Sequence, residues 1–363
     1  MAIPERDEHM GRAQQTRVVV VDDSPSMRLL LEKMINAEAD MRVVGTAPDP
    51  FAARELIKQL QPDVVTLDIE MPGMDGLDFL ERLMRLNPLP VLMISSRTEQ
   101  GSEHTLRALD LGAVDVICKQ SLGDKGGLSA MAREVTTKVR MAGSNAHQFQ
   151  RRAPLQVVDS RAVTTVGTSF DRRKIIFVGA STGGTEAIKQ FVEMLPVQCP
   201  PVLITQHMPE GFTTRFAKRL DDCCAVRVKE ATDKELIQTG WVYIAPGHSH
   251  LTLHRRGDGR YETRLSDGPE VNRHRPSVDV LFHSAADEVG PDALAVLLTG
   301  MGKDGAVGLL RMREQGALTL TQSPESCVVY GMPRAAFELG ASVAVGTPGE
   351  LAEKVLTAAR QKG

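Results

Sequence analysis

Short runs of valine, isoleucine and leucine alternate with segments of helical period along nearly all of the 363 residues. This alternation constrains the fold more than any other feature, because strand-then-helix repeats close into parallel sheets covered by helices. From Thr16 the order is RVVVVDD, SPSMRLLLEKMINA, RVVGT, an amphipathic stretch ending near Leu60, DVVTLD, GLDFLERLMRL, PVLMIS, HTLRALDLG, VDVICK and LSAMAREVTTKVR. These units predict a doubly wound sheet over residues 16–141. In the first helix Ser24 is a cap, Pro25 suits the first turn, and Met27, Leu30, Leu31, Met34 and Ile35 recur at helical spacing. Periodicity then fades through GSNAHQFQRRAPLQVVDSRAVTTVGTSF, which predicts a linker over 142–171. From Arg172 the alternation resumes with KIIFVGAS, a helix from about Glu186 to Leu195, PVLITQH, a helix near Thr213 to Leu220, WVYIAP, ALAVLLTG, ALTLTQ and SVAVG. A second α/β domain over 172–360 follows. An aromatic content of only 4% suits aliphatic parallel sheets better than a β-sandwich.

A net charge of −3 argues against a nucleic-acid binder, which carries a basic footprint. The acidity lies in the first 141 residues, where 22 acidic side chains outnumber 17 basic ones. Cys118, Cys199, Cys223, Cys224 and Cys327 form no C-x-x-C pair, and their odd number suits reduced thiols rather than a disulfide framework. The opening MAIPERDEHMGRAQQ lacks the apolar core of a signal peptide, and the longest apolar run, Ala293 to Leu298, is too short to span a bilayer. The chain is expected to be cytoplasmic, without membrane insertion.

In an open α/β sheet, ligands sit beyond the carboxyl ends of the strands. Asp22 and Asp23 end the first predicted strand and Asp68 the third, which gathers three carboxylates on that edge. Such a cluster needs a cation, and Mg²⁺ suits carboxylate and phosphoryl oxygens. The fourth and fifth strands add Ser95 and Lys119 to the same edge. A carboxylate nucleophile, a metal site, a hydroxyl and an ammonium are what phosphoryl transfer onto an aspartate requires.

The segments VVVVDDSPSMR, DVVTLDIEMPGMDG, LPVLMISS and VDVICK resemble the response-regulator receiver domain across about residues 16 to 141. The resemblance implies Asp68 as the phosphorylated aspartate, Asp22 and Asp23 as Mg²⁺ ligands with it, and Ser95 and Lys119 as the phosphoryl-sensing pair. Two positions depart from the family: Gln120 replaces a common proline, and Val116 stands where an aromatic switch residue is usual.

KIIFVGASTGGTEAI sets Gly179-Ala180-Ser181-Thr182-Gly183 between a strand and a helix, with G-x-S-x-G spacing. Small neighbours let the chain turn sharply and lift the Ser181 hydroxyl above the sheet edge. Taken alone, the segment reads equally well as a phosphate cradle at a helix N-terminus. Two further strands end in matching chemistry, His207 after VLITQ and Asp304 after LAVLLTGMGK. Together they suggest that His207 takes the Ser181 proton while Asp304 orients the imidazole. The chain order Ser, His, Asp differs from the α/β-hydrolase order and disfavours a lipase-type fold. His248, His250 and His254 form only a weak metal pattern, with no carboxylate or cysteine at ligand spacing. Arg273, Arg275 and Asp279 read better as anchors of the site rim than as substrate contacts.

The stretches VGASTGGTEAI, LITQHMPEGFT, YIAPGHSHL, VNRHRPSVDVLF and LLTGMGKDGA resemble the chemotaxis protein-glutamate methylesterases from about 172 to 360. The fold implied is two doubly wound parallel-sheet domains, a flavodoxin-like receiver and a Rossmann-like methylesterase domain. The resemblance implies Ser181 as nucleophile, His207 as general base, Asp304 as orienting acid, and Thr182 and the Met301 N–H near the oxyanion. It further implies hydrolysis of glutamate methyl esters, and deamidation of selected glutamines, on the cytoplasmic helices of chemoreceptors. The receiver is expected to cover the catalytic rim until a sensory histidine kinase phosphorylates it. Mg²⁺ is expected in the receiver, no cofactor in the catalytic half, no nucleic acid partner, and a monomeric chain. Two other readings are a phosphorylation-gated nucleotide-binding module without esterase activity and the same enzyme in a non-chemotactic pathway.

Overall fold

The computed structural model describes residues 15–71, 75–95, 104, 107–109, 111–119, 127–144 and 169–360, which fall into two compact units. In the first, β1 (Thr16–Val21), β2 (Met41–Ala47), β3 (Val64–Asp68), β4 (Val91–Ser95) and β5 (Asp115–Cys118) pair in parallel in the order β2-β1-β3-β4-β5. Val18 to Val21 and all of β3 are buried, as strands sandwiched between helices must be. Around them lie α1 (Pro25–Asn36), α2 (Pro50–Leu60), α3 (Gly76–Leu86) and α4 (Gly127–Ser144). Each of the first three begins at a residue able to accept from orphan N–H groups: Ser24 accepts from Met27, Asp49 from Phe51 and Ala52, and Asp75 from Leu77.

Helix α4 runs to Ser144, past the boundary expected at 141. Its Gly143 lies where any Cβ would fall 2.3 Å from the Thr16 methyl. A glycine that marks a linker by sequence thus serves close packing of helix on strand. Of the rest of the expected linker, 145–168 lie outside the described residues, while at its far end Phe170 bridges Arg360 and Asp171 N–H donates to Ala359 O within the second unit. Gln120 and residues 105, 106 and 110 of the expected HTLRALDLG helix also lie outside the described residues.

The second unit holds a seven-stranded parallel sheet in the order β14-β13-β12-β6-β7-β9-β8. Its strands are β6 (Ile175–Ala180), β7 (Val202–Gln206), β8 (Arg227–Glu230), β9 (Trp241–Ile244), β12 (Ala293–Leu297), β13 (Leu318–Gln322) and β14 (Ala344–Gly346). A hairpin, β10 (His250–Arg255) and β11 (Tyr261–Ser266), stands apart from this sheet. Six helices accompany the strands: α5 (Gly184–Glu193), α6 (Phe212–Cys223), α7 (Val278–Glu288), α8 (Ala306–Glu314), α9 (Met332–Glu338) and α10 (Pro348–Ala359). Phe177, Tyr243, Leu281 and Phe282 are fully buried in its core.

Strand order fixes where chemistry can occur. In the first sheet the winding reverses between β1 and β3, the strands that end beside Asp22 and at Asp68. In the second it reverses at β6, with β7 on one side and β12 on the other. A crevice opens at the carboxyl ends of such strands because successive helices leave toward opposite faces of the sheet.

Candidate active site

The first edge carries a tight acidic cluster. Asp22, Asp23 and Asp68 each bring a carboxylate oxygen within 4.8 Å of the others. Lys119 Nζ donates to Asp68 Oδ2 at 2.7 Å and lies 3.2 Å from Asp22 Oδ2, close enough for an ion pair but without hydrogen-bond geometry. Burial pushes the Asp68 carboxyl up to about 6, against the pull of Lys119. Ser95 ends β4 on the same edge. Val116 is buried within β5.

At the reversal point of the second sheet, Ala180 of β6 pairs with Gln206 of β7, so the next residues, Ser181 and His207, leave neighbouring strands side by side. The Ser181 turn is tight: Gly183 has φ of 74°, and Gly184 N–H donates back to Ser181 O at 2.6 Å. Ser181 N–H donates to Thr299 O at 3.0 Å. Two N–H groups of the turn are therefore committed internally, which weakens the phosphate-cradle reading.

Asp304 reaches the same place from the loop between β12 and α8. Its Oδ2 lies 2.7 Å from His207 Nε2. Burial pushes the Asp304 carboxyl up, but the bonds to His207, Asn272 Nδ2 and Val278 N–H outweigh it and hold it well below the usual carboxylate range. Ser277 Oγ also donates to its Oδ1. With Nε2 engaged, the other ring nitrogen, Nδ1, is buried and has no hydrogen-bond partner among the described residues. Nδ1 is thus the ring nitrogen that Asp304 leaves open.

Several supporting residues carry no sequence signal of their own. Gln206 Nε2 donates to Ser181 O at 3.0 Å and to His207 O at 3.2 Å, so one buried amide ties the two backbones together. Gln206 was hidden as the last residue of an apolar strand. Thr182 is buried beside Ser181, its carbonyl held by Thr299 Oγ1. Met301 follows Gly300, which packs directly on Ser181: a Cβ there would lie 2.8 Å from Ser181 Cβ and 2.3 Å from Met332 Sδ. Gly300→Ala should therefore displace the serine and lower turnover about 100-fold. It should also lower the melting temperature through overpacking. Unchanged turnover and melting temperature would show that the surroundings yield instead.

The remaining expected residues take structural places. His250 donates from Nε2 to Pro269 O and accepts Ser277 N–H at Nδ1, leaving neither nitrogen for a metal. His248 precedes β10 and lies 3.7 Å from Glu210, while His254 pairs with Glu288. Arg275 donates to Asp267 O and Gly268 O. Buried Asp279 accepts from Gly308 N–H and Asn272 Nδ2. Arg273 is exposed on its turn.

Residues 176–355 match the family model for the CheB methylesterase and residues 18–131 that for the response regulator receiver domain. A protein-glutamate methylesterase/protein-glutamine glutaminase of Dechloromonas aromatica is 55% identical over 349 residues, covering 95% of this chain and 98% of its own. One from Chromohalobacter salexigens is 54% identical over 327 residues, covering 90% of this chain and 91% of its own. The crystal structure of the Thermotoga maritima CheB methylesterase catalytic domain matches 51% of this chain and 98% of its own, with 38% identity and a TM-score of 0.50. With a receiver fold before a hydrolase fold and near full-length likeness to these relatives, the chain belongs to the protein-glutamate methylesterase/protein-glutamine glutaminase family.

Proposed function

We propose that the chain demethylates glutamate methyl esters, and deamidates selected glutamines, on the cytoplasmic helices of chemoreceptors, and that phosphorylation of its receiver activates it. The observation that supports this reading most strongly is the His207 Nε2–Asp304 Oδ2 contact of 2.7 Å at the reversal point beside Ser181. Such a pair makes a serine hydroxyl nucleophilic.

Ser181 Oγ attacks the γ-carbonyl carbon as its proton passes to His207 Nδ1. The resulting imidazolium is held by Asp304, which stays ionised. Because Ser181 N–H is engaged with Thr299 O, the oxyanion falls to the N–H groups of Thr182 and Met301. Collapse releases methanol, or ammonia from a glutamine, with the proton returned by His207. Water then repeats the cycle and frees the glutamate.

In the receiver, a sensory histidine kinase supplies the phosphoryl group and Asp68 accepts it. Asp22, Asp23 and Asp68 have the spacing and hard oxygen donors to hold Mg²⁺. That ion would offset charge on the phosphoryl oxygens when bound. Lys119 and Ser95 then contact the phosphoryl group. The chain after α4 joins this domain to the catalytic half, and the protein works as a cytoplasmic monomer. No described helix is long and apolar enough to cross a membrane.

Methanol release from methylated receptor membranes, with and without a small phosphodonor, tests both halves. Asp68→Asn should keep basal release and lose the stimulation. Full stimulation of that variant would place the switch elsewhere, and absence of methanol release from the stimulated wild type would overturn the esterase reading.

A further inference from the structure

The acid–base pair is gripped by one short turn that the proposed mechanism does not use. Val271 and His274 exchange both backbone hydrogen bonds, at 3.1 and 3.0 Å, around Asn272 and Arg273. Those central residues have φ of 54° and 68°. Two positive φ values mark a type I′ turn, which asparagine enters readily and arginine does not. A non-glycine residue held in that region is a strain the surroundings must sustain, and such strain collects at functional sites.

The turn delivers its two ends to the two members of the pair. Asn272 Nδ2 donates to Asp304 Oδ1 at 2.7 Å and to Asp279 Oδ2 at 2.7 Å, so both amide hydrogens are used. The His274 ring stacks on the His207 ring with centroids 3.6 Å apart and planes 12° from parallel.

We propose that the Val271–His274 turn is a clamp on the acid–base pair, in which Asn272 and His274 are positioning residues for Asp304 and His207. The proposal rests on the triad reading above. Asp304 holds the His207 ring at one nitrogen, which leaves the ring free to swing about that contact. A parallel ring against its face removes this freedom and keeps Nδ1 directed at the serine. The same aromatic face lies over the ring that becomes cationic during proton transfer, where a π system is favourable. Asn272 acts on the other partner. It fixes Oδ1, so that Oδ2 meets Nε2 in line, and its second hydrogen ties Asp304 to buried Asp279.

The test uses the full-length chain with phosphodonor and methylated receptor membranes. Asn272→Gly removes the amide while a glycine still accepts the left-handed backbone, so the turn survives. It should lower kcat about tenfold, the rate equivalent of one charge-assisted hydrogen bond. KM should not change, because the residue acts only through Asp304. His274→Ala should also lose about tenfold in kcat, and His274→Phe, which restores a flat ring, should return to within about threefold of wild type. Wild-type kcat in both Asn272→Gly and His274→Ala would overturn the clamp, as would a phenylalanine variant no better than alanine. Ser181→Ala run alongside separates the two readings: turnover retained there means that the triad has failed, whereas its loss with unaffected turn variants means that only the clamp has.

Discussion

Ser181→Ala is expected to abolish ester hydrolysis while leaving the protein folded. The loss should be on the order of 10⁵-fold in kcat, since without the hydroxyl no acyl-enzyme forms and only binding and oxyanion contacts remain. Among the described residues, the hydrogen bonds that seat residue 181 are all made by its backbone, to Thr299 O, Gly184 N–H and Gln206 Nε2. Alanine keeps every one of them and adds no atom beyond Cβ. The melting temperature should therefore stay close to wild type, and receiver phosphorylation should be untouched. Methanol release at a wild-type rate would remove Ser181 from the mechanism, while loss of activity together with unfolding would contradict the backbone argument.

Asp304→Asn should cost about 10⁴-fold in kcat, because an amide cannot hold the imidazole in the required tautomer. The site surrounds this carboxylate with donors: Asn272 Nδ2 and Ser277 Oγ at Oδ1, Val278 N–H and the His207 ring at Oδ2. If the new NH₂ faces Val278 and His207, it opposes a backbone N–H and forces Nε2 to accept, which protonates Nδ1 and disables the base. If it faces the other way, it opposes Ser277 and Asn272. Either orientation leaves buried donors unpaired, at about 1–3 kcal/mol each. A melting temperature lower by several degrees is therefore expected alongside the kinetic loss. The deficit should depend on pH in a definite direction. A carboxyl whose folded value is depressed contributes stability above its unfolded value, here 3.8, and loses it as pH falls toward the folded value. The gap in melting temperature between wild type and Asp304→Asn should thus be widest near neutrality and narrow below pH 3.8. A gap that widens in acid would mean that Asp304 is not held ionised by these contacts.

The strands and the carboxyl-end residues were legible because a parallel sheet sends every strand end to one edge. Asp22, Asp68, Lys119, Ser181 and His207 follow directly from strand ends that apolar runs make visible. Helix starts were legible for a local reason too, since Ser24, Asp49 and Asp75 cap the turns that follow them. What periodicity could not show was contact between distant segments. Gly143 looked like the start of a linker and instead completes α4, because its missing side chain admits Thr16 from β1. His248, His250 and His254 shared a spacing, yet their partners are Glu210, Pro269 with Ser277, and Glu288.

The same division runs through the site. Sequence alone determined two α/β domains, an acidic phosphoryl-type edge in the first, and serine, histidine and aspartate carried toward one edge of the second. Only the tertiary structure decided which imidazole nitrogen meets Asp304, that Ser181 N–H is spoken for by Thr299, that Gln206 joins the two backbones, and that Asn272 and His274 arrive from a single turn. Strand ends are set by local hydrophobic pattern and parallel winding, so they are written in short stretches of chain. Ring orientation and hydrogen-bond partners are set by packing between segments such as His207, Asn272 and Asp304, and no local stretch contains both halves of such a contact.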